Sequence, residues 1–447
     1  MSLGKFVTAV CFFGLTIAQN SSNINQTTCN GNTYTYQELG GYGLIPGDAR
    51  DKFGDTIGGI GSVIAIDTAT WTKLGNGSYK GVLWTLPDRG WNTQGTLNHQ
   101  SQVHKFDLLF TPVLNATLAN PSGKNLLFTY TDTVLFYGPD GTPTTGLDAD
   151  GSGDGFGRNG TGGKRIPVDA EGLVLDGSGG FWMSDEYGPY IYHYNSTGVM
   201  VSAIRPPDAF IPMRNGSRSF SADSPYYYPD QGGGDNVSPA DNPTSRDNNH
   251  GFEGLGISTD GKTLYTLLQA ANNQKGGLKS QTERYARFLS YDISDPANPV
   301  YRSEYVVPLP FWTDPTANAS KTPKVAAQSE IHALPNGQFL FWQGIPMREM
   351  GRVLGRFGVH NGGITDAGLL NEKWESMAVV PVDGIDGADG EWYIFSLSDN
   401  DFITQNGFLD AGKFAYSDAS GYDLDNQALV FKVEISGLSA AGGYWVG

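Results

Sequence analysis

Four stretches of this chain repeat one pattern: an acidic residue, a small or polar residue, an apolar residue, then a strand-like run. They are Glu171-Gly172-Leu173-Val174-Leu175, Glu253-Gly254-Leu255-Gly256-Ile257, Glu330-Ile331-His332-Ala333-Leu334 and Glu375-Ser376-Met377-Ala378-Val379, and the third fits least well. Each is followed by a turn and a second run rich in aromatics: Phe181-Trp182-Met183, Thr263-Leu264-Tyr265-Thr266, Phe339-Leu340-Phe341-Trp342 and Trp392-Tyr393-Ile394-Phe395. A multi-strand unit that recurs with an acidic residue at one place predicts an all-β chain folded as a single β-propeller. Inner strands that start around one axis would gather the glutamates. Like charges brought together need a cation, protonation or basic partners.

Strand-like runs and turn signals such as Asp176-Gly177 and Asn336-Gly337 divide the chain into five units. A sixth is possible between Asp88 and Asp169. The first unit reads as Ser62–Asp67, Gly81–Leu86, Gln102–Phe110 and Asn125–Tyr137, and Thr33–Leu44 is expected to complete the last. From 171 to 253 is 82 positions and from 253 to 330 is 77, but from 330 to 375 is only 45. The fourth blade is therefore expected to be incomplete, with the stretch from Gln343 to Arg356 as its weak point. Residues 140–163 and 206–249 read as long surface loops.

Lys5, the apolar run Phe6 to Ile17 and the small residue Ala18 predict a signal peptide over residues 1–18, with one domain over 19–447. No later apolar run is long enough for a membrane span. Asn25, Asn76, Asn115, Asn159, Asn195, Asn215, Asn236 and Asn318 sit in glycosylation sequons. The chain is expected to be a secreted, monomeric glycoprotein. Of two cysteines, Cys11 lies in the leader, so mature Cys29 is expected to lack an intramolecular partner. A formal charge of −17 argues against nucleic acid as a partner.

Several residues could carry chemistry. The repeated glutamates Glu171, Glu253, Glu330 and Glu375 come first, although each alone could equally cap a turn. Acidic ends of second strands, Asp88, Asp185, Glu186, Asp399 and Asp401, are hard oxygen ligands that suit calcium. Asp148, Asp150 and Asp154 alternate as in the first half of a calcium loop, but position twelve is Asn159 and helical flanks are missing. They are expected to form a surface loop, with or without calcium. His250 is a candidate acid–base group, and Arg165 and Arg287 are candidates to steady an anionic substrate. No Gly-X-Ser-X-Gly elbow, His-Glu-X-X-His motif or phosphate-binding Walker loop occurs.

Asp169-Ala170-Glu171-Gly172-Leu173-Val174-Leu175-Asp176, Phe181-Trp182-Met183-Ser184-Asp185-Glu186-Tyr187-Gly188 and Asn249-His250-Gly251-Phe252-Glu253-Gly254-Leu255 together resemble the phytase-like family, "esterase-like activity of phytase". Asn371-Glu372-Lys373-Trp374-Glu375-Ser376-Met377 and Ser398-Asp399-Asn400-Asp401 are similar to its fungal secreted branch. The resemblance implies a propeller that hydrolyses phosphoric esters; with it we expect a small anionic phosphorylated substrate, and calcium held by the acidic residues above. It departs in the fourth unit, where Phe341-Trp342-Gln343-Gly344 stands in place of a strand ending in Arg-Asp. Two other readings stay open: a propeller lactonase or carboxylic esterase, and a non-catalytic propeller that binds a glycan or protein.

Overall fold

A computed structural model of the chain describes residues 10–12, 26–91, 95–149, 165–225, 237–312, 322–343, 351–383, 390–436 and 438. Strand β1 (Val10–Phe12) precedes β2 (Gln26–Cys29) and the long β3 (Asn32–Ile45). The first blade is β4 (Val63–Lys73), β5 (Tyr79–Leu86), β6 (Gln102–Phe110) and β7 (Leu126–Leu135), hydrogen-bonded in that order. The second is β8 (Ala170–Leu175), β9 (Phe181–Asp185), β10 (Ile191–Tyr194) and β11 (Met200–Ile204). A short hairpin, β12 (Met213–Arg214) with β13 (Ser217–Arg218), leads to the third blade. That blade is β14 (Phe252–Ile257), β15 (Thr263–Leu268), β16 (Tyr285–Asp292) and β17 (Val300–Pro308).

After the pair β18 (Phe311–Trp312) and β19 (Lys324–Val325) comes a smaller sheet, with β20 (Glu330–Ala333) and β21 (Phe339–Trp342). One turn of helix, α1 (Gly351–Gly355), follows. The last blade holds β22 (Ala378–Pro381) and β23 (Glu391–Leu397). After the hairpin β24 (Gly407–Leu409) with β25 (Phe414–Tyr416), it continues with β26 (Asn426–Ile435). Strand β3 pairs with β26, so the N-terminal segment closes the ring as its sequence predicts. The order of this sheet is β2-β3-β26-β23-β22.

Among the described residues the architecture is an all-β propeller with four full blades. The expected count of five or six is not confirmed. The unit that begins at Glu330 supplies only two strands of its own, and the strands between Asp88 and Asp169, β6 and β7, belong to the first blade. Inner strands pack around one axis: β8 meets β4 and β14, β14 meets β20, and β22 meets β4. Their apolar side chains, among them Ile64, Leu173, Leu255, Ile331 and Val379, enclose a cavity of about 30 Å³. Burying such side chains gives the fold its main stabilisation, roughly 1.5–3 kcal/mol per large aliphatic residue. Among the described residues no helix is long and apolar enough to cross a membrane.

The smaller sheet has an unusual third strand. Val10, Cys11 and Phe12, in the stretch expected to be a signal peptide, pair in parallel with Phe339, Leu340 and Phe341 of β21. In the full chain Cys29 is disulfide-bonded; the other cysteine of the sequence is Cys11, within the expected leader, so the expectation for mature Cys29 is untouched. Leader removal would strip β21 of β1 and leave a row of unpaired backbone groups. The amides of Phe339–Trp342 in the mature protein should then exchange with solvent much faster than those of Phe181–Asp185, which β8 and β10 flank on both sides. Equal protection of the two strands in a hydrogen-exchange experiment would show that another segment covers the edge.

Candidate functional site

The Glu-Gly repeats have a local structural cause. Ladder register shifts between Ala170 and Gly172, and again between Phe252 and Gly254, so Glu171 and Glu253 are the extra residues of two β-bulges. A bulge re-aims a side chain and commonly sits beside a site. The glycine that follows is required by close packing. A Cβ on Gly172 would lie 2.2 Å from Ser184 Oγ and 2.5 Å from Leu255 Cβ, and one on Gly254 would lie 2.9 Å from Gln328 Oε1. The fourth unit has Ile331 where these have glycine, and its ladder runs without a bulge from Glu330 opposite Trp342. In the last unit Glu375 precedes β22, and Ser376 Oγ accepts the Leu397 N–H at 3.1 Å.

These devices open onto a polar cavity of about 180 Å³ lined by Asp88, Arg89, Glu171, Asn249, Glu253, Gln269, Lys373 and Glu375. Three of the four repeated glutamates are therefore brought together. Glu330 does not line it: its Oε1 accepts N–H groups of Ile331 at 2.8 Å and Leu255 at 3.4 Å, beneath the cavity among the inner strands.

Lys373 is the residue that sequence reading missed. Its Nζ lies 2.9 Å from Asp88 Oδ2, 2.8 Å from Asp401 Oδ1 and 3.3 Å from Glu375 Oε2, and it also bonds Asp399 Oδ2. Burial works against the ammonium, but Asp399, Asp401, Asp88 and Glu375 outweigh it and hold Lys373 well above its ordinary pKa. Burial likewise pushes Asp88 up, yet Lys373 more than offsets this and leaves it lowered. Arg89, fully buried, pairs through Nε with Asp169 Oδ2 at 3.3 Å, and its backbone N–H donates to Asp169 Oδ1 at 3.1 Å.

Glu171 and Glu253 add negative charge to the lining, and Glu186, which does not line the cavity, lies beside them. Ligand oxygens of Glu171, Glu186 and Glu253 lie within 4.8 Å of one another. Burial and then neighbouring carboxylates push all three pKa values up, that of Glu186 to about 8. Glu375 rises to about 7, mainly by burial, with Lys373 pulling the other way.

Other predicted residues lie elsewhere. Asp185 is buried and spends its oxygens on the N–H groups of Asp169, Tyr187 and Gly188 and on the Tyr192 hydroxyl. His250 does not line the cavity; its Nδ1 lies 3.7 Å from Glu283 Oε2. Arg165 Nη1 donates to Asn98 Oδ1 at 3.4 Å. Arg287 pairs with Glu304 at 2.9 Å across β16 and β17 of the third blade, not at the cavity. The expectation of a surface loop is corrected at Asp148, which is buried and accepts the N–H groups of Ala222 at 2.8 Å and Ser224 at 3.2 Å. Asp150 and Asp154 lie outside the described residues. Of the sequons, Asn76, Asn115 and Asn215 are exposed, Asn195 is half-buried, and Asn25, Asn159, Asn236 and Asn318 lie outside the described residues.

The stretch read as a loose loop after Pro206 is anchored where it is described. Arg246 donates to the Tyr187 carbonyl at 2.9 Å, beside the cavity wall. Arg214 donates to the carbonyls of Pro239 at 2.8 Å, Ser221 at 3.0 Å and Ala240 at 2.7 Å.

Residues 76–343 match the model of the phytase-like family, described as esterase-like activity of phytase. An uncharacterized secreted protein of Arthroderma benhamiae is 44% identical, and the match covers 89% of this chain and 93% of that one. That alignment runs over 480 positions, more than the aligned 89% of this chain can fill, so the relative carries segments that this chain lacks. Among solved structures, a luciferin-regenerating enzyme is 11% identical with a TM-score of 0.28, covering 87% of this chain and 96% of that chain. The WD40 domain of Toxoplasma gondii coronin is 6% identical with a TM-score of 0.21, covering 90% of each. Overlays this loose say nothing about the site.

Proposed function

Because the chain belongs to the phytase-like family, we propose that it is a secreted hydrolase of phosphoric monoesters that works in the 180 Å³ cavity. One observation carries the reading. Two cations, buried Arg89 and partly buried Lys373, and a carboxyl group near neutrality, Glu375, line one small polar space. Arg89 and Lys373 are fixed by their acidic partners before any substrate arrives, so they would stabilise developing negative charge without reorganising. Glu375, with its pKa raised to about 7, suits proton transfer to or from water at neutral pH. Export is supported by the leader pattern and by the relative named as secreted.

Calcium fits the acidic cluster. Glu186 Oε2 and Glu253 Oε2 are buried carboxylate oxygens that no protein donor meets, and hard oxygens are what this ion takes. Glu171, Glu186 and Glu253 would hold it, and when bound it would supply Lewis-acid polarisation of a substrate oxygen.

A second reading, hydrolysis of a carboxylic ester or lactone, is favoured by the charge of the lining. Four carboxylates face two cations there, so a neutral ester would enter without the repulsion that a phosphate meets. The test is a panel of p-nitrophenyl phosphate, phytate, p-nitrophenyl acetate and a γ-lactone, run on chelator-stripped and calcium-restored protein. Phosphate release that depends on calcium is expected. Turnover of the acetate or lactone alone would establish the second reading, and no turnover at all would overturn both.

A further inference from the structure

We propose that Glu171, Glu186 and Glu253 form the single exchangeable divalent-cation site of the cavity, and that the chain's own Lys373 ammonium occupies the neighbouring acidic group in place of a second ion. This deepens the reading above, which calls for a cation here, but it is decided by binding rather than turnover.

Three acidic groups among the described residues have ligand atoms within 4.8 Å of one another. They differ in what already neutralises them. In the group Asp88, Asp169 and Glu171, Arg89 is paired with Asp169 at 3.3 Å. In the group Asp88, Asp399 and Asp401, Lys373 touches all three carboxylates. In the group Glu171, Glu186 and Glu253, no lysine among the described residues bridges the carboxylates as Lys373 does, and Arg89 and Arg246 lower the Glu186 pKa without offsetting its burial.

Each carboxylate of that third group commits one oxygen to the protein. Ser62 Oγ donates to Glu171 Oε2 at 2.7 Å, the Gly251 N–H to Glu186 Oε1 at 3.0 Å, and Gln269 Nε2 to Glu253 Oε1 at 2.9 Å. These bonds fix the side chains and leave one oxygen on each. The remaining oxygens of Glu186 and Glu253 receive no donor from the protein and the two side chains lie against each other, in residues only 1% and 2% exposed. Orphaned buried acceptors of this kind are costly unless a ligand completes them.

Donor chemistry favours calcium: three carboxylates offer the hard oxygens it takes, and its flexible coordination by about six to eight oxygens tolerates a protein-built cage better than magnesium does. Asn249 and Gln269 line the same cavity and offer neutral oxygens, and the open volume leaves room for water or substrate. A tethered ammonium beside one bound ion would give the cavity two fixed positive centres while only one depends on the medium.

Titration calorimetry with calcium chloride, paired with thermal melts, tests this on the purified mature protein. The wild type is expected to bind calcium at this site and melt higher with it. Glu253→Gln and Glu186→Gln should each weaken binding roughly 10–100-fold or more and abolish the melting shift. Asp401→Asn, at the Lys373 group, should leave binding intact. Lys373→Ala should gain a second equivalent that Lys373→Arg does not. If Lys373→Ala fails to fold, the contrast between Glu253→Gln and Asp401→Asn decides. No calcium binding by the wild type, binding that survives both glutamine variants at full affinity, or binding lost in Asp401→Asn alone would overturn the proposal. Calcium held by the triad with no ester turned over would instead remove the hydrolase reading and leave this one standing.

Discussion

Replacing Arg89 with methionine is expected to destabilise the protein by about 3–5 kcal/mol, because it leaves a buried carboxylate without its cation. Both Arg89 and Asp169 are almost completely buried. Asp169 is also a joint in the backbone. It accepts the Arg89 N–H, donates its own N–H to Asp185 Oδ1 at 3.0 Å, and its carbonyl takes the Glu186 N–H at 2.9 Å. Losing the guanidinium therefore strains the seam between the first and second blades as well as the cavity floor. Urea unfolding of Arg89→Met, Asp169→Asn and the double variant measures this. The double variant should cost less than the sum of the singles, since it removes both charges together. A single variant within about 0.5 kcal/mol of wild type, the range of ordinary surface changes, would show that the pair is not what holds this seam.

Glu375→Gln is expected to lower kcat by about 10²–10⁴-fold, the usual worth of a positioned proton-transfer group, on whichever ester the cavity turns over. Calcium binding should stay, because Glu375 is not in the triad. As a base the wild-type residue must be ionised, so the rate should climb as pH rises through about 7. The variant should lose that step. Stability runs the other way. The folded pKa of about 7 lies above the ordinary 4.5, so the folded state prefers the protonated form. That contribution is complete below about 4.5 and is lost as pH climbs through 7. Above pH 7 the glutamine variant should therefore melt higher than wild type while working worse. A variant with unchanged kcat, or one that melts lower than wild type at pH 8, would remove Glu375 from this role.

The propeller was legible because its cause is local. Glu171-Gly172 and Glu253-Gly254 record a bulge and the close approach of the next blade, and both demands are written in two adjacent residues. The same logic marked Glu330 as the poor fit, and its carboxylate indeed turns to backbone N–H groups instead of the cavity. Lys373 was not legible because it occurs once, two positions before Glu375, outside the repeated frame. Its only sequence signal was its place in the Asn371 to Met377 motif, where charge alone gives no direction. Arg287 drew attention for its charge but meets Glu304 across a strand pair. Asp148 sat in an alternating acidic run that mimics a calcium loop, yet its burial depends on Ala222 and Ser224, more than seventy residues away. Strand β1 on β21 depends equally on a distant partner and left no local trace.

Pairing of β3 with β26 has a consequence for how the protein is made. The partner of Ile45 is Asn426, and that of Tyr34 is Ile435. The strand made almost first must wait for the strand made almost last. At about 5–20 residues per second, the 390 residues between Ile45 and Ile435 take about 20–80 s to synthesise. Through that interval the growing chain exposes one strand edge at each end of an unclosed arc, inside the compartment that receives it. Chaperone contacts with the segment Asn32–Ile45 should therefore persist until termination, and end when the ring shuts.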